Sequence, residues 1–390
     1  MFLSIAFVGI ALGLVFGLSP ARRSSLGLPL PTHGHQVPIN PALDVNFPDP
    51  SLWHANGIYM ALATNNAAGI LNAVSNITGQ DDYGVSNVQV ATSTDLLSWT
   101  LLDARHDPLP RVGKWAVQGL AQETHIPKAA VWAPSVNQRP DGCFVLYYSA
   151  HPHALDSSGN VAVEPASIGA HPPPHCIGAA IARDPIGPYS PLDRPLACPI
   201  NRGGAIDADG FRDSNGDMYV VYKVDGNNIG HGGDCGNTVE PLLPTPIMLQ
   251  KLLADGVTPD GEPSQILDRV EEDGPLVEAP VIVQSPDGLY FLFFSSGCTR
   301  SPSYNVKYAT ATNVQGPYTR APIPLLRTGD FGLLAPGSVG IHREPGTNDY
   351  NMVFHARVAE DDTGLVRAMF NTKLSFNGHV VTLEPVLSVT

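Results

Sequence analysis

Apolar residues in this chain come in short β-branched and aromatic runs, broken by Gly, Pro, Asn and Asp, and helical periodicity is scarce after residue 40. The stretch "LVEAPVIVQSPDGLYFLFFSS" from Leu276 is representative: an apolar run, a turn at Pro286-Asp287-Gly288, and a second, Phe-rich run. This is the pattern of a β-hairpin, and repeated along the chain it predicts an all-β protein. The 38 Gly and 37 Pro are spread throughout, so no low-complexity linker divides the chain into two domains.

The hairpin grammar recurs five times. "NFPDPSLWHANGIYMALAT" from Asn46, "VWAPSVNQRPDGCFVLYYSA" from Val131, "AIDADGFRDSNGDMYVVYK" from Ala205, the Leu276 segment, and "LLAPGSVGIHREPGTNDYNMVFHA" from Leu333 each pass from a short apolar opening through a turn to an aromatic-rich strand. Their starts lie roughly 55 to 85 residues apart, room for four short strands each. A second motif recurs between them, in "ATSTDLLSWTLL", "ARDPIGPYSPL" and "ATNVQGPYTRA", and reads as an outer strand ending in Trp or Gly-Pro-Tyr. An inner hairpin followed by such a strand is a propeller blade, and the prediction is a five-bladed β-propeller with four antiparallel strands per blade. A two-sheet sandwich also supplies short strands and turns, but would not require one grammar five times.

Composition narrows the function. A net charge of -14 without any long Lys/Arg cluster argues against nucleic acid and suits a neutral ligand. The apolar run at the start, closing on Ser19-Pro20-Ala21, reads as a signal peptide over residues 1–21, with an N-terminal segment over 22–39 and the propeller over 40–390. An uncleaved anchor followed by Arg22-Arg23 is the alternative, and both place the remainder in an oxidising compartment. Of the five cysteines, Cys176 with Cys198 closes the shortest loop not involving Cys143 and is the first candidate disulfide, with Cys235–Cys298 the second. Asn76-Ile77-Thr78 is an N-glycosylation acceptor if the chain is secreted.

A carboxylate in a buried strand costs several kcal/mol unless it is paired or protonated, which singles out Glu278. In a propeller the blade openings converge on one end of the central channel, and three of them carry acids, Asp49, Asp207 and Glu278; the other two carry Ala133 and Pro336. Converging carboxylates push their pKa values apart, leaving one protonated acid and one ionised base, the pair that glycosidic hydrolysis needs. The apolar flanks of Glu278 fit the general acid, the Pro48 and Pro50 flanks of Asp49 fit a fixed base, and Asp207 would tune the acid. Taken singly, Asp49 also reads as a turn residue before proline, and Asp207 as one of several hairpin acids with Asp209, Asp213 and Asp217.

In order, "FPDPSL", "VWAPSV", "AIDADGFRDSNGDMYVVYK" and "VEAP" resemble the motifs of glycoside hydrolase family 43, and the resemblance covers nearly all of residues 40 to 390. It implies an inverting glycosidase with Asp49 as base, Asp207 as modulator and Glu278 as acid. It also implies sugar stacking on Trp132 and an Arg367 pointing into the pocket; a core Trp and an ion-paired surface Arg are the plainer readings. Where many arabinan-cleaving members carry a metal-binding His, this chain has Ser338 in "LLAPGSVGI", which counts against a structural calcium, and no cofactor is expected. His355 could face the channel as a substrate contact, and His231 and Asp234 lie in a Gly-rich loop that could meet ligand or metal. The expectation is a secreted, monomeric α-L-arabinofuranosidase acting on an oligo- or polysaccharide, without a nucleic-acid partner and without a membrane once the signal is removed. β-Xylosidase and endo-1,5-α-L-arabinanase are alternatives within the class, and a non-catalytic carbohydrate-binding propeller is the alternative outside it.

Overall fold

A computed structural model describes residues 37–66, 86–120, 127–155, 161–165, 169–358 and 366–385; the expected signal at 1–21, most of the 22–39 segment and the Asn76 acceptor lie outside the described residues. The five hairpins form five blades of four antiparallel strands. Blade 1 runs Ser51–Ala55, Ile58–Asn66, Val88–Ser93 and Thr100–Leu101. Blade 2 runs Ala130–Gln138, Phe144–Ala150, Cys176–Ala182 and Ser190–Pro191. Blade 3 runs Ala205–Arg212, Met218–Val224, Ile247–Leu252 and Ser264–Leu267. Blade 4 runs Val277–Gln284, Tyr290–Ser296, Asn305–Ala311 and Thr319–Arg320, and blade 5 runs Leu334–Arg343, Tyr350–Arg357, Arg367–Asn377 and Val380–Pro385.

The aromatic-rich strands are the second strands, and they are apolar on both faces because each blade packs between two others. In Phe144–Ala150, Val145 and Tyr147 join the cluster shared with blade 3, while Phe144, Leu146 and Tyr148 join the one shared with blade 1. Phe291 and Phe293 likewise face blade 5, and Leu292 and Phe294 face blade 3. Each fully buried side chain of this size contributes roughly 1.5–3 kcal/mol, so the inter-blade clusters are the main source of stability.

The second motif sits differently from the expectation. Trp99, Tyr189 and Tyr318 precede the short outer strands instead of ending them. Each folds back onto its own loop: Trp99 Nε1 donates to Leu96 O at 3.1 Å, Tyr189 Oη to Pro185 O at 2.8 Å, and Tyr318 Oη to Val314 O at 3.0 Å. The repeated aromatic thus closes the turn that launches the outer strand.

The ring is closed without strand exchange, since blade 1 and blade 5 each take all four strands from their own end of the chain. Instead, residues 42–47 lie along the third strand of blade 5, with Ala42 and Leu43 bonded to Met369 and Phe47 to Arg367. Among the described residues, the apolar cluster at this seam is the smallest of the five and is built in part on Ala61, Ala63 and Ala91. Both expected disulfides are present, Cys176–Cys198 and Cys235–Cys298, with Cys143 free.

Candidate active site

The inner strands of blades 2 to 5 each carry a bulge near the start, and each bulge contains a non-glycine residue in the left-handed region, Ala133 (φ 42°), Asp207 (59°), Ala279 (50°) and Ala335 (49°); in blade 1 the left-handed residue, Asp49 (53°), lies just before the strand, whose pairing from Ser51 is regular. This conformation is costly for residues with a Cβ, and it turns the backbone out of the ladder at the channel mouth. Asp49 has this left-handed backbone just before its strand, and Asp207 occupies the bulge position itself. Glu278 precedes it by one residue, and in blade 5 the matching residue is Ala335, not Pro336. The three acids are therefore not strictly equivalent, yet all three line one cleft of about 190 Å³ together with Trp132, Tyr304, Ser338 and Arg367.

A bulge leaves backbone N–H groups without ladder partners, and polar side chains at the ends of the second strands supply several of the missing contacts. Thr64 Oγ1 of blade 1 accepts from Ala133 N, Ser149 Oγ of blade 2 from Asp207 N, Ser295 Oγ of blade 4 from Ser338 N, and His355 Nδ1 of blade 5 from Asp49 N. In each case one blade reaches into the opening of the next. Blade 3 has Lys223 at this place, and its Nζ lies 3.1 Å from Glu278 Oε2.

These contacts give the three carboxyls different environments. Asp49 receives Thr64 Oγ1 on Oδ2 at 2.7 Å and Arg367 Nη1 on Oδ1 at 3.0 Å. Burial pushes its pKa up, but Arg367 and the Thr64 and Ser338 hydroxyls outweigh burial and hold it below the ordinary aspartate value. Asp207 accepts one backbone hydrogen bond, from Ala279 N at 2.9 Å. Burial, and then the negative charge of Glu278, raise its pKa well above the ordinary value. Glu278 accepts Tyr304 Oη on Oε1 at 2.8 Å and is paired with Lys223, whose side chain is fully buried and also meets Asp225 Oδ1 at 2.9 Å. Glu278 thus does not rest in the apolar surroundings its neighbours in sequence suggest, because its side chain leaves the strand for a lysine and a tyrosine; the carboxyl raised by burial is Asp207.

The site is therefore an ionised aspartate anchored by a guanidinium, in one cleft with a pair of further carboxyls, Asp207 and Glu278. Lys223 is central to that pair. Removing one partner of a buried ion pair leaves an uncompensated charge, so Lys223→Met should lower stability by roughly 3–5 kcal/mol in urea denaturation. A loss below ~1 kcal/mol would show that the buried ammonium is not holding Glu278 and Asp225.

Trp132 lines the cleft, with its ring stacked 3.8 Å from that of His175, against which His151 lies tilted. Arg367 lines it as well, anchored to Asp49. His355 does not serve as the substrate contact expected of it. It has no exposed surface, lies behind Asp49, and is kept neutral by burial, its pKa pushed down to about 3. Because Nδ1 accepts from Asp49 N, the ring hydrogen sits on Nε2. His231 is tied to Pro241 O at 2.8 Å, and neither it nor Asp234 joins a metal-ligand cluster among the described residues. Thr64, Lys223 and Tyr304 were not evident in the sequence. Lys223 at the end of the apolar "MYVVYKV" carried the same signal as Glu278, a charge where a buried strand should have none.

Comparison with known proteins agrees with this geometry. The chain is 26% identical over 314 residues to the "Beta-D-galactofuranosidase xynD" of Aspergillus niger, covering 76% of this chain and 75% of that protein. It is 24% identical over 327 residues to the "Extracellular endo-alpha-(1->5)-L-arabinanase" of Thermotoga petrophila, covering 70% of this chain and 61% of that one. Among solved structures, a thermostable family-43 glycoside hydrolase superimposes with a TM-score of 0.62 at 22% identity, over 88% of this chain and 94% of that one. The profile of "Glycosyl hydrolases family 43" matches residues 38–381, which spans all five blades and the cleft between them: the chain belongs to glycoside hydrolase family 43 and is a glycosidase.

Proposed function

We propose that the protein is an inverting α-L-arabinofuranosidase acting on arabinose- and xylose-containing polysaccharides. The observation that carries the mechanism is the unequal treatment of three carboxyls in one cleft. Asp49, held ionised by Arg367, is the general base that takes a proton from water as that water attacks the anomeric carbon. Glu278, in the same cleft, is the general acid that delivers a proton to the leaving glycosidic oxygen as the bond breaks. Asp207, whose pKa is raised by burial and then by the charge of Glu278, tunes that delivery. Trp132 offers a ring face for the sugar.

The arabinofuranoside is supported by the two curated relatives, which by their names act on a furanoside and on arabinan. Secretion is part of the same reading, supported by the apolar N-terminal run and by two disulfides, which persist in oxidising compartments. The test is a panel of aryl glycosides presented to the purified protein: α-L-arabinofuranoside, β-D-xyloside and β-D-galactofuranoside, alongside arabinan and xylan polymers. The highest kcat/KM is expected on the α-L-arabinofuranoside. Preference for the xyloside, or for internal cleavage of arabinan, would replace this specificity with the corresponding one, and binding without hydrolysis of any of them would overturn the mechanism.

A further inference from the structure

The end of the channel opposite the carboxyls carries a second cluster with no part in hydrolysis. His54 is the next-to-last residue of the inner strand of blade 1, His342 the next-to-last of that of blade 5, and Glu344 directly follows the blade 5 strand. One ligand atom from each falls within 4.8 Å of the other two, and His54 Nδ1 lies 2.7 Å from Glu344 Oε2. We propose that these three residues bind a single divalent cation of the zinc class, and that the ion clips the first blade to the last.

Two observations point to a ligand beyond an ordinary ion pair. His342 is 7% exposed and its Nε2 has no hydrogen-bond partner; Asn351, directly across the hairpin from it, is 3% exposed and leaves its Oδ1 equally unpartnered. Buried polar atoms are rarely left unsatisfied without an unseen water or ion, and here two lie on one cross-strand pair. The cluster is also braced as ligand sets are. Asn351 Nδ2 donates to Glu344 Oε1 at 2.9 Å, and the Tyr59 ring stacks on His54 at 4.1 Å.

The donor set selects the ion. Two imidazoles and one carboxylate suit zinc, whereas calcium takes six to eight oxygens. Bonds of about 2.0–2.2 Å would place the ligand atoms roughly 3.3–3.5 Å apart, a separation between the 2.7 Å and 4.8 Å limits seen here, so small side-chain adjustments suffice.

The location supplies the purpose. Among the described residues, the seam between blades 1 and 5 has no exchanged strand and the smallest apolar cluster, with residues 42–47 tying it at the third strand of blade 5. A cation bonded to His54 on one side and to His342 and Glu344 on the other would join the inner strands at the opposite end of the same seam. The inference does not depend on which sugar the enzyme cleaves.

The experiment is calorimetric titration of the tag-free, chelator-stripped full chain with zinc chloride, beside His54→Gln and Glu344→Gln. Both side chains are partly exposed, at 22% and 15%, and the amides preserve size and hydrogen bonding, so the fold should survive. Wild type should bind one ion per chain, and each variant should bind at least about tenfold more weakly. At a hundredfold excess over Kd, zinc should raise the wild-type Tm by about 4 °C, with a smaller rise in the variants. It should also slow amide exchange in both 51–62 and 340–352. No binding by wild type at micromolar zinc, or equal binding by wild type and variants, would overturn the site. Binding without slower exchange on both strands would overturn the clip.

Discussion

Asp49→Asn should lower kcat on the preferred aryl glycoside by about 10²–10⁴-fold and change KM little. An amide has the shape of the carboxylate and still accepts from Thr64, but it cannot take a proton from the attacking water. The same substitution removes the anion that Arg367 faces at 3.0 Å, so the guanidinium is left to draw on the substrate instead. Because water attack is required whatever the leaving group, the loss should be the same on aryl substrates and on polysaccharide. Steady-state kinetics on both check it, and a variant within tenfold of wild type would remove Asp49 from the reaction.

The second large effect is expected of Glu278→Gln, and its signature is the opposite. Without a proton donor, an alkoxide leaving group departs slowly, whereas an activated phenolate needs little help. The loss should reach about 10²–10⁴-fold on arabinan or arabinoxylan and be at least tenfold smaller on a nitrophenyl glycoside. Equal losses on the two would mean that Glu278 is not the donor, and Asp207, the carboxyl with the raised pKa, would become the candidate. The Lys223 ammonium beside the glutamine then lacks one of its two counter-charges, so a modest loss of stability should accompany the variant.

The propeller was legible because its grammar is local. A turn at Pro286-Asp287-Gly288 flanked by apolar runs signals a hairpin by itself, and five such signals in series leave few other folds. The acids were legible for the same reason: a charge such as Glu278 inside an apolar run is conspicuous. What local grammar does not contain is the offset of one residue between Glu278 and the left-handed positions held by Asp49 and Asp207, since that backbone turn is set by pairing between strands. Nor does it contain partners distant in sequence. Tyr304 reaches Glu278 from the loop before the third strand of blade 4, and Arg367 reaches Asp49 from the far end of the chain.

His355 shows the same limit from the other side. A histidine in "MVFHARV" could face the channel or the interior, and the choice is made by Asp49, whose N–H, ahead of the strand ladder, needs an acceptor there. Ser338 stands where a metal-binding histidine was sought, and its backbone N is tied to Ser295 Oγ at 2.9 Å. The residues that instead gather as a ligand set, His54, His342 and Glu344, lie in the hairpins of blades 1 and 5, where no motif marks them. Only the closing of the ring brings them together.

The central claim, that Asp49 directs water to the anomeric carbon while the Asp207–Glu278 pair protonates the leaving group from the other side, fixes the stereochemistry of the product. Proton NMR of the first sugar released, recorded before mutarotation, reads it directly. From an α-L-arabinofuranoside the account predicts β-L-arabinofuranose as the initial product. Initial appearance of the α anomer would mean a covalent intermediate on one of these carboxylates, and would contradict the assignment of Asp49 as a base.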